Sequence, residues 1–342
     1  MTPQAVKIVK GKGPYVQLLP KLEEPFYSND LCRSWVIEWL SSNKYDKNAL
    51  AVTACGSQAV SLACFNGHQK RVRTSCHREY CLRCGTKGSL EHKKRYLRAL
   101  DRLMWSPVLG YMIFTLPREV SEAMPSKEQL SKIEKEAVSI VRDNFNAPGC
   151  MVRIHFMGEE IEKLHIHVNV LFPIEGTNGK GEVDQEVLNK IKQSWTMFIN
   201  QTFNLSCKTT NVFYKFKTSA VKMRHIIKYV TRPIVTAEKF LSLPSEAKHW
   251  YLALAGWHNT RWYGKLANHK YKEYLESKGL DILAHREADI ATSRKCPVCG
   301  EHYKYQGIID IDEISRDQFR QVDKDVWVDR ETFACLKDKS PP

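Results

Sequence analysis

The run LHIHVNVLF (164–172) carries the first residues whose type and spacing suggest chemistry. Leu164, Ile166, Val168, Val170 and Phe172 alternate with His165, His167 and Asn169, the period-two pattern of a half-buried strand. His165 and His167 therefore share a face, one pleat apart, and an apolar residue between them anchors the strand. Two imidazoles that close can chelate a divalent cation. A bare His-x-His also occurs as two surface histidines, so its neighbours decide the matter. CMVRIHFM (150–157) alternates in the same way and sets Met151, Arg153 and His155 on one face. If these strands form a hairpin through GEEIEK, His155 approaches the pair and supplies a third ligand. Glu159, in the turn, is the competing candidate.

A second constellation lies in VKMRHIIKYVTRP. His225 and Tyr229 are one helical turn apart on one face, while Ile226, Ile227 and Val230 can pack inward. Lys222, Arg224, Lys228 and Arg232 surround Tyr229 with positive charge, which suits a phosphodiester. A tyrosine nucleophile in that setting gives a covalent phosphotyrosine, and a cation on the histidines would polarise the phosphate. The alternative is a helix tyrosine that only packs against a sheet.

Cysteines supply a third. CHREYCLRCG contains Cys76-x4-Cys81-x2-Cys84, a spacing suited to tetrahedral zinc. Cys64 is the expected fourth ligand, with Cys55 and His68 as rivals. Arg71, Arg73, Arg78 and Arg83 around the cluster are expected to contact DNA backbone. Cys296-Pro-Val-Cys299-Gly is a second knuckle with two zinc-ligand candidates and His302 and Cys335 as candidate partners; a knuckle without zinc is the alternative. Cys32, Cys150 and Cys207 are expected in the core.

The elements that must position these residues follow from periodicity. Helices are expected at 31–40 (a peripheral one), 91–105 (basic and amphipathic), 120–146 (polar), 183–203 and 219–231. Strands are expected at 108–117, stopped by Pro117, and at 150–157, 164–172 and 209–217. The order β-α-β-β-α-β-α suits an α+β fold: a central antiparallel sheet with flanking helices, plus a zinc-binding N-terminal segment and a small C-terminal extension. The expected organisation is a peripheral segment at 1–50, the cysteine-rich segment and basic helix at 51–105, and a core at 106–240. A basic aromatic extension with the knuckle and an acidic tail would fill 241–342.

YMIFTLP, HIH and HIIKYVTRP resemble, in order, the first motif, the His-hydrophobic-His motif and the tyrosine motif of the HUH endonuclease superfamily, across residues 75–265. Plasmid rolling-circle initiators (Rep proteins) with a cysteine cluster ahead of the core, and two-tyrosine rolling-circle transposases, are the most similar branches. RIHFMGEE resembles a histidine-bearing strand of the transposases and supports His155 as third ligand. RWYGKLANHKY (261–271) resembles an Arg-aromatic-Gly segment after the core in both branches. The resemblance implies nicking of single-stranded DNA at an origin, a 5′-phosphotyrosine intermediate and a free 3′-OH. It also implies Mg2+ or Mn2+ at the histidine pair, structural Zn2+, and a host helicase and polymerase as partners. The chain has no GxxxxGK[ST] helicase motif of its own. His225 stands where the transposases have a second tyrosine, which favours a single-tyrosine initiator. His225 is then the candidate general base of the closing step, or only a hydrogen-bond donor to phosphate. The alternatives are a rolling-circle transposase with the same chemistry and a non-catalytic zinc-containing nucleic-acid-binding protein.

Bulk properties agree. The 342-residue chain carries a formal net charge of +14, which favours a polyanionic partner, nucleic acid before an anionic membrane. Hydrophobic residues, at 43%, suffice for a core. No stretch approaches the roughly 18 uncharged apolar residues of a membrane span, and MTPQAVKIVKGKGP has no apolar signal core. The expected location is the host cytoplasm. There the eleven cysteines point to metal sites instead of disulfides.

Overall fold

The computed structural model describes residues 25–157, 164–175, 181–255, 257–267, 270–279, 293–323 and 325–338. Among them are eleven α-helices and two five-stranded antiparallel sheets, so the chain is α+β. Helices α1 (Pro25–Ser42) and α2 (Asp46–Thr53) precede a hairpin of β1 (Gln58–Ala63) and β2 (Gln69–Arg73). The cysteine-rich loop leads from there to α3 (Leu90–Leu103), capped by the Ser89 hydroxyl, which accepts the His92 N–H. α1 is less peripheral than its sequence suggests, since Val36 and Leu40 are buried in the main core.

The chain then runs β3 (Leu109–Thr115), α4 (Arg118–Glu122), α5 (Lys127–Asn144), β4 (Gly149–Met157), β5 (Leu164–Pro173), α6 (Gln185–Phe203), β6 (Val212–Lys217) and α7 (Ala220–Thr231). The single helix expected over 120–146 is in fact two. Pro125 has no N–H and disfavours helical backbone before it, and Met124 takes a left-handed φ of 51°. A capping box of Ser126 and Gln129 then restarts the helix. Nor is α5 polar throughout: Leu130, Ile133, Ala137, Ile140 and Val141 are buried.

With β7 (Thr260–Gly264), these strands form a sheet in the order β6-β3-β5-β4-β7. Its two faces follow the alternation. Met112, Phe114, Val152, Ile154, Val168 and Val170 join the core beneath α5 and α6. The opposite face lies beneath α3 and α7, whose Leu100, Leu103, Met223, Ile227 and Val230 pack on Tyr111, Met151 and Leu171. Between α7 and β7 run α8 (Ala237–Ser242) and α9 (Ser245–Ala253), and α10 (Tyr271–Ser277) follows β7.

The acidic tail expected from sequence is folded into strands and a helix. Strands β8 (Lys304–Asp310), β9 (Phe319–Asp323) and β10 (Val326–Asp329), ahead of α11 (Arg330–Asp338), complete a second sheet in the order β8-β1-β2-β10-β9. Hydrogen bonding of β1 to β8 and of β2 to β10 joins the cysteine-rich segment to the chain's end. The cysteine-rich segment and the C-terminal extension expected from sequence thus share one sheet. No described helix is long and apolar enough to cross a membrane.

Candidate active site and metal centres

Strands β4 and β5 pair as expected, and the register sets His155 opposite His167 and Arg153 opposite Asn169. The turn between them, with Glu159, lies outside the described residues. The His155 and His167 rings meet edge to face at 5.1 Å between centroids, and His165 lies 5.6 Å from His167. His165 is exposed, whereas His155 is fully buried.

Hydrogen bonds fix the protonation of the inner pair. His155 Nε2 lies 3.1 Å from the Val230 carbonyl, and His167 Nδ1 lies 3.2 Å from the His165 carbonyl. A carbonyl only accepts, so each of these nitrogens carries a proton. Burial, followed by the neighbouring His167 and Arg153, pushes the His155 pKa well below its ordinary value. Burial lowers His167 to about 4 against the hydrogen bond to the His165 carbonyl. Both rings are neutral near pH 7, which leaves a lone pair on His155 Nδ1 and on His167 Nε2. His155 Nδ1 is buried with no hydrogen-bond partner. An unused lone pair on an imidazole oriented by a carbonyl is the usual state of a metal ligand. His155 Nδ1 and His167 Nε2, with the exposed His165 beside them, are the nitrogens here that could be offered to a cation. The set is looser than the sulfur clusters: among the described residues only those bring three or more donor atoms within 4.8 Å of one another.

Tyr229 lies beside these histidines: its ring is 6.1 Å from His155 and 39% exposed. Val230, the next residue, supplies the carbonyl that holds His155. The Arg232 guanidinium stacks on the Tyr229 ring at 4.2 Å. Lys222, Arg224, Lys228 and His225 are exposed along α7. The tyrosine helix is therefore docked against the histidine strands by its inner face, as its periodicity indicated.

A buried polar network lies behind the site. Asn169 accepts from the Tyr111 hydroxyl at 2.7 Å and donates to the Arg153 carbonyl at 3.2 Å. The fully buried Arg153 donates to Glu79 at 2.6 Å, to the Arg232 carbonyl at 3.0 Å and to Asn259 at 3.1 Å. Glu79 also pairs with Arg95 at 3.4 Å and accepts the Ile234 N–H at 2.9 Å. Burial alone would raise Glu79, but Arg153 and Arg95 outweigh it and hold the carboxyl at about 2. Neither Glu79 nor Asn169 was singled out from sequence. The available signal was a carboxylate amid four arginines and an asparagine in phase with the histidines.

Two clusters can hold a structural metal ion such as zinc. Cys55, Cys76, Cys81 and Cys84 form one; Cys64, His68, Cys296 and Cys299 form the other. Cys64 is therefore not the fourth ligand of the first cluster but a member of the second, because the β1–β2 hairpin carries it away toward the knuckle. In the first, Cys84 Sγ lies 3.5 Å from Cys55 Sγ and 3.7 Å from Cys76 Sγ. With Zn–S bonds of about 2.3 Å, sulfurs on a tetrahedron are about 3.8 Å apart. In the second, Cys64 Sγ is 3.6 Å from Cys299 Sγ and 3.3 Å from His68 Nδ1. His68 Nε2 pairs with Glu331 at 3.1 Å, which leaves Nδ1 for the metal. Neither His302 nor Cys335 joins this cluster: His302 bridges Lys295 through the backbone and Cys335 donates to the Pro297 carbonyl at 3.6 Å.

Arg71 and Arg73 stack on Phe319 and Trp327 at 4.7 and 5.0 Å. One further expectation is revised. Cys32 and Cys150 are buried, but Cys207 is only half-buried, in the turn after α6 that Asn200 pins through the Cys207 backbone. No protein-family model matches the chain, and comparison with curated proteins and with solved structures returns no match.

Proposed function

We propose that the chain is an HUH-type endonuclease that initiates rolling-circle replication by nicking single-stranded DNA at an origin. The observation that carries this reading is the approach of Tyr229 to a buried imidazole, His155, whose free nitrogen has no partner of its own. A purely structural role would leave that nitrogen desolvated for nothing, at about 1–3 kcal/mol. The five-stranded antiparallel sheet bearing the histidines and the helix bearing the tyrosine suit the same reading.

In the proposed reaction the Tyr229 hydroxyl attacks the scissile phosphorus. The P–O3′ bond breaks, the 3′-oxygen leaves as a hydroxyl, and the 5′-phosphate stays on the tyrosine as an ester. Arg232, stacked on the ring, limits its rotation and sets a positive charge beside the incoming phosphate. Lys222, Arg224 and Lys228 would grip neighbouring phosphates. His225, one turn before Tyr229, would take the proton of the hydroxyl that attacks the phosphotyrosine in the closing step. A Mg2+ or Mn2+ ion on His155, His167 and His165 would supply charge to the scissile phosphate. A host helicase would unwind the duplex and a host polymerase would extend the freed 3′-OH.

The test is a denaturing gel of labelled single-stranded DNA incubated with protein and manganese. A covalent band expected for the wild type vanishes in Tyr229→Phe. A band of equal intensity in Tyr229→Phe overturns the assignment.

A further inference from the structure

A cavity of about 990 Å3 lies between the second sheet and α3. Val60 and Leu62 of β1 and Val72 of β2 form its apolar floor. Lys70, Arg73, Lys94, Arg98, Arg294 and Lys295 line it, and no Asp or Glu does so among the described residues. Lys70 is tied to the Ser293 carbonyl at 2.6 Å and Arg73 lies 3.8 Å from Asp325. Lys94 and Arg98 on one wall and Arg294 and Lys295 on the other are exposed. Arg294 and Lys295 immediately precede Cys296, so the second Cys/His cluster fixes that wall.

Lys94 and Arg98 also line a second hollow of about 580 Å3 on the far flank of α3. There they face Lys135, Arg261 and Trp262, beside β7, the edge strand of the histidine sheet. The one carboxylate lining it, Glu91, is already paired with His77 at 3.0 Å and Lys94 at 3.2 Å. α3 is thus the crest of a basic saddle with a hollow on either side. Its inner face packs on α7, and neither hollow is lined by Tyr229 or by the three histidines. Arg261 pairs with Glu134 at 3.4 Å, but cations outnumber carboxylates along both hollows, and that surplus favours a polyanion. The larger hollow exceeds the needs of a free phosphate and stands at the upper end of ordinary ligand-site volumes.

We propose that this saddle binds the sugar–phosphate backbone of DNA outside the cleavage site, as a second DNA-binding surface needing neither the histidines nor Tyr229. The inference rests on the reading that the substrate is DNA. It assigns a function to the second Cys/His cluster: holding Arg294 and Lys295 opposite α3.

The experiment measures fluorescence anisotropy of a labelled mixed-sequence oligonucleotide, single-stranded and duplex, against full-length Tyr229→Phe protein over a salt series. Lys94→Ala/Arg98→Ala and Arg294→Ala/Lys295→Ala are compared with Lys132→Ala/Lys190→Ala. The last pair removes equal charge from exposed positions on α5 and α6, across the sheet. Zinc content and circular dichroism verify that each variant is folded. Each saddle pair is expected to weaken binding about tenfold and to flatten the single-strand salt slope by about 1.4, from about 0.7 per lost phosphate contact. The control pair should leave the slope unchanged. Saddle and control pairs that behave alike overturn the proposal. If the saddle pairs bind normally while the wild type forms its Tyr229–DNA adduct on a denaturing gel, the saddle fails and the nuclease stands. If they bind weakly and the wild type forms no adduct, the saddle stands and the nuclease reading falls.

Discussion

Replacing Glu134 by Gln should flatten part of the protein's stability–pH profile. Glu134 lies on α5 with its side chain fully buried, and neither carboxylate oxygen accepts a hydrogen bond. Arg261 Nε, 3.4 Å away on β7, is its ion-pair partner, and Tyr263 adjoins it. Burial, only partly countered by Arg261, raises the carboxyl from 4.5 to about 8. The unfolded chain releases this proton from about pH 4.5 upward, whereas the folded chain keeps it to about pH 8. Stability is therefore whole at acid pH and declines through that window. At about 1.36 kcal/mol per pH unit, the loss between about pH 6 and about pH 9 is about 2.7 kcal/mol, and it levels off above the folded pKa. Gln keeps the shape of the protonated acid and cannot ionise. Denaturant unfolding of wild type and Glu134→Gln at both pH values isolates this group, because other titrations cancel in the difference. The variant should gain about 2.7 kcal/mol on the wild type between the two conditions. A difference that does not change with pH would mean that Arg261 keeps the carboxylate ionised in the fold.

The metal sites and the network make further predictions. Cys55→Ser and Cys64→Ser should each cost one of two bound zinc ions, measured by mass spectrometry of the native protein, and the pair together should cost both. Loss of the same ion in both variants would return Cys64 to the first cluster. Glu79→Gln should destabilise the fold by about 3–5 kcal/mol in denaturant, because Arg153 is left buried without its counter-charge; a loss below about 1 kcal/mol would show the pair to be dispensable. His155→Ala should abolish the Tyr229 adduct while leaving binding of single-stranded DNA within about twofold, since phosphate contacts dominate affinity. Adduct formation at wild-type rate in that variant would remove His155 from the site.

Local periodicity made the histidine and tyrosine elements legible. The alternation along β4 and β5 fixes which residues share a face, and a hairpin connection then leaves few registers that bury the apolar set. That was enough to bring His155 to His167. The 3.6-residue pattern of α7 likewise separated the buried Ile226, Ile227 and Val230 from the exposed Tyr229. The partners of the cysteines were not legible, because ligand choice depends on contacts far apart in sequence. Cys64 and Cys299 meet only because β1 pairs with β8, and the acidic composition of that C-terminal stretch hides its strands. The saddle was missed for the same reason, as its two walls come from opposite ends of the chain. Pro125 was a local signal of a helix break that the long polar pattern obscured, and a single polar helix also concealed Glu134 in the core.

The cysteine-rich loop is joined to the histidine strands and to the end of the tyrosine helix through Glu79. Glu79 sits between Cys76 and Cys81, so the first cluster fixes the backbone on both sides of it. Its carboxylate reaches Arg153, two residues before His155 on β4, and the Ile234 N–H, just beyond Arg232. Arg153 itself donates to the Arg232 carbonyl. One carboxylate thereby ties together the strand that carries the buried histidine and the chain that leaves the tyrosine helix. Arg95 of α3 adds a third tie, donating to the Thr231 carbonyl at 3.2 Å. Charges buried this deeply are costly to leave unpaired, so the network is stable only when all its members are in register. A cluster that holds Glu79 in position therefore also holds Tyr229 against His155. This explains why a structural metal site and a candidate nucleophile can be mechanically linked without sharing a contact.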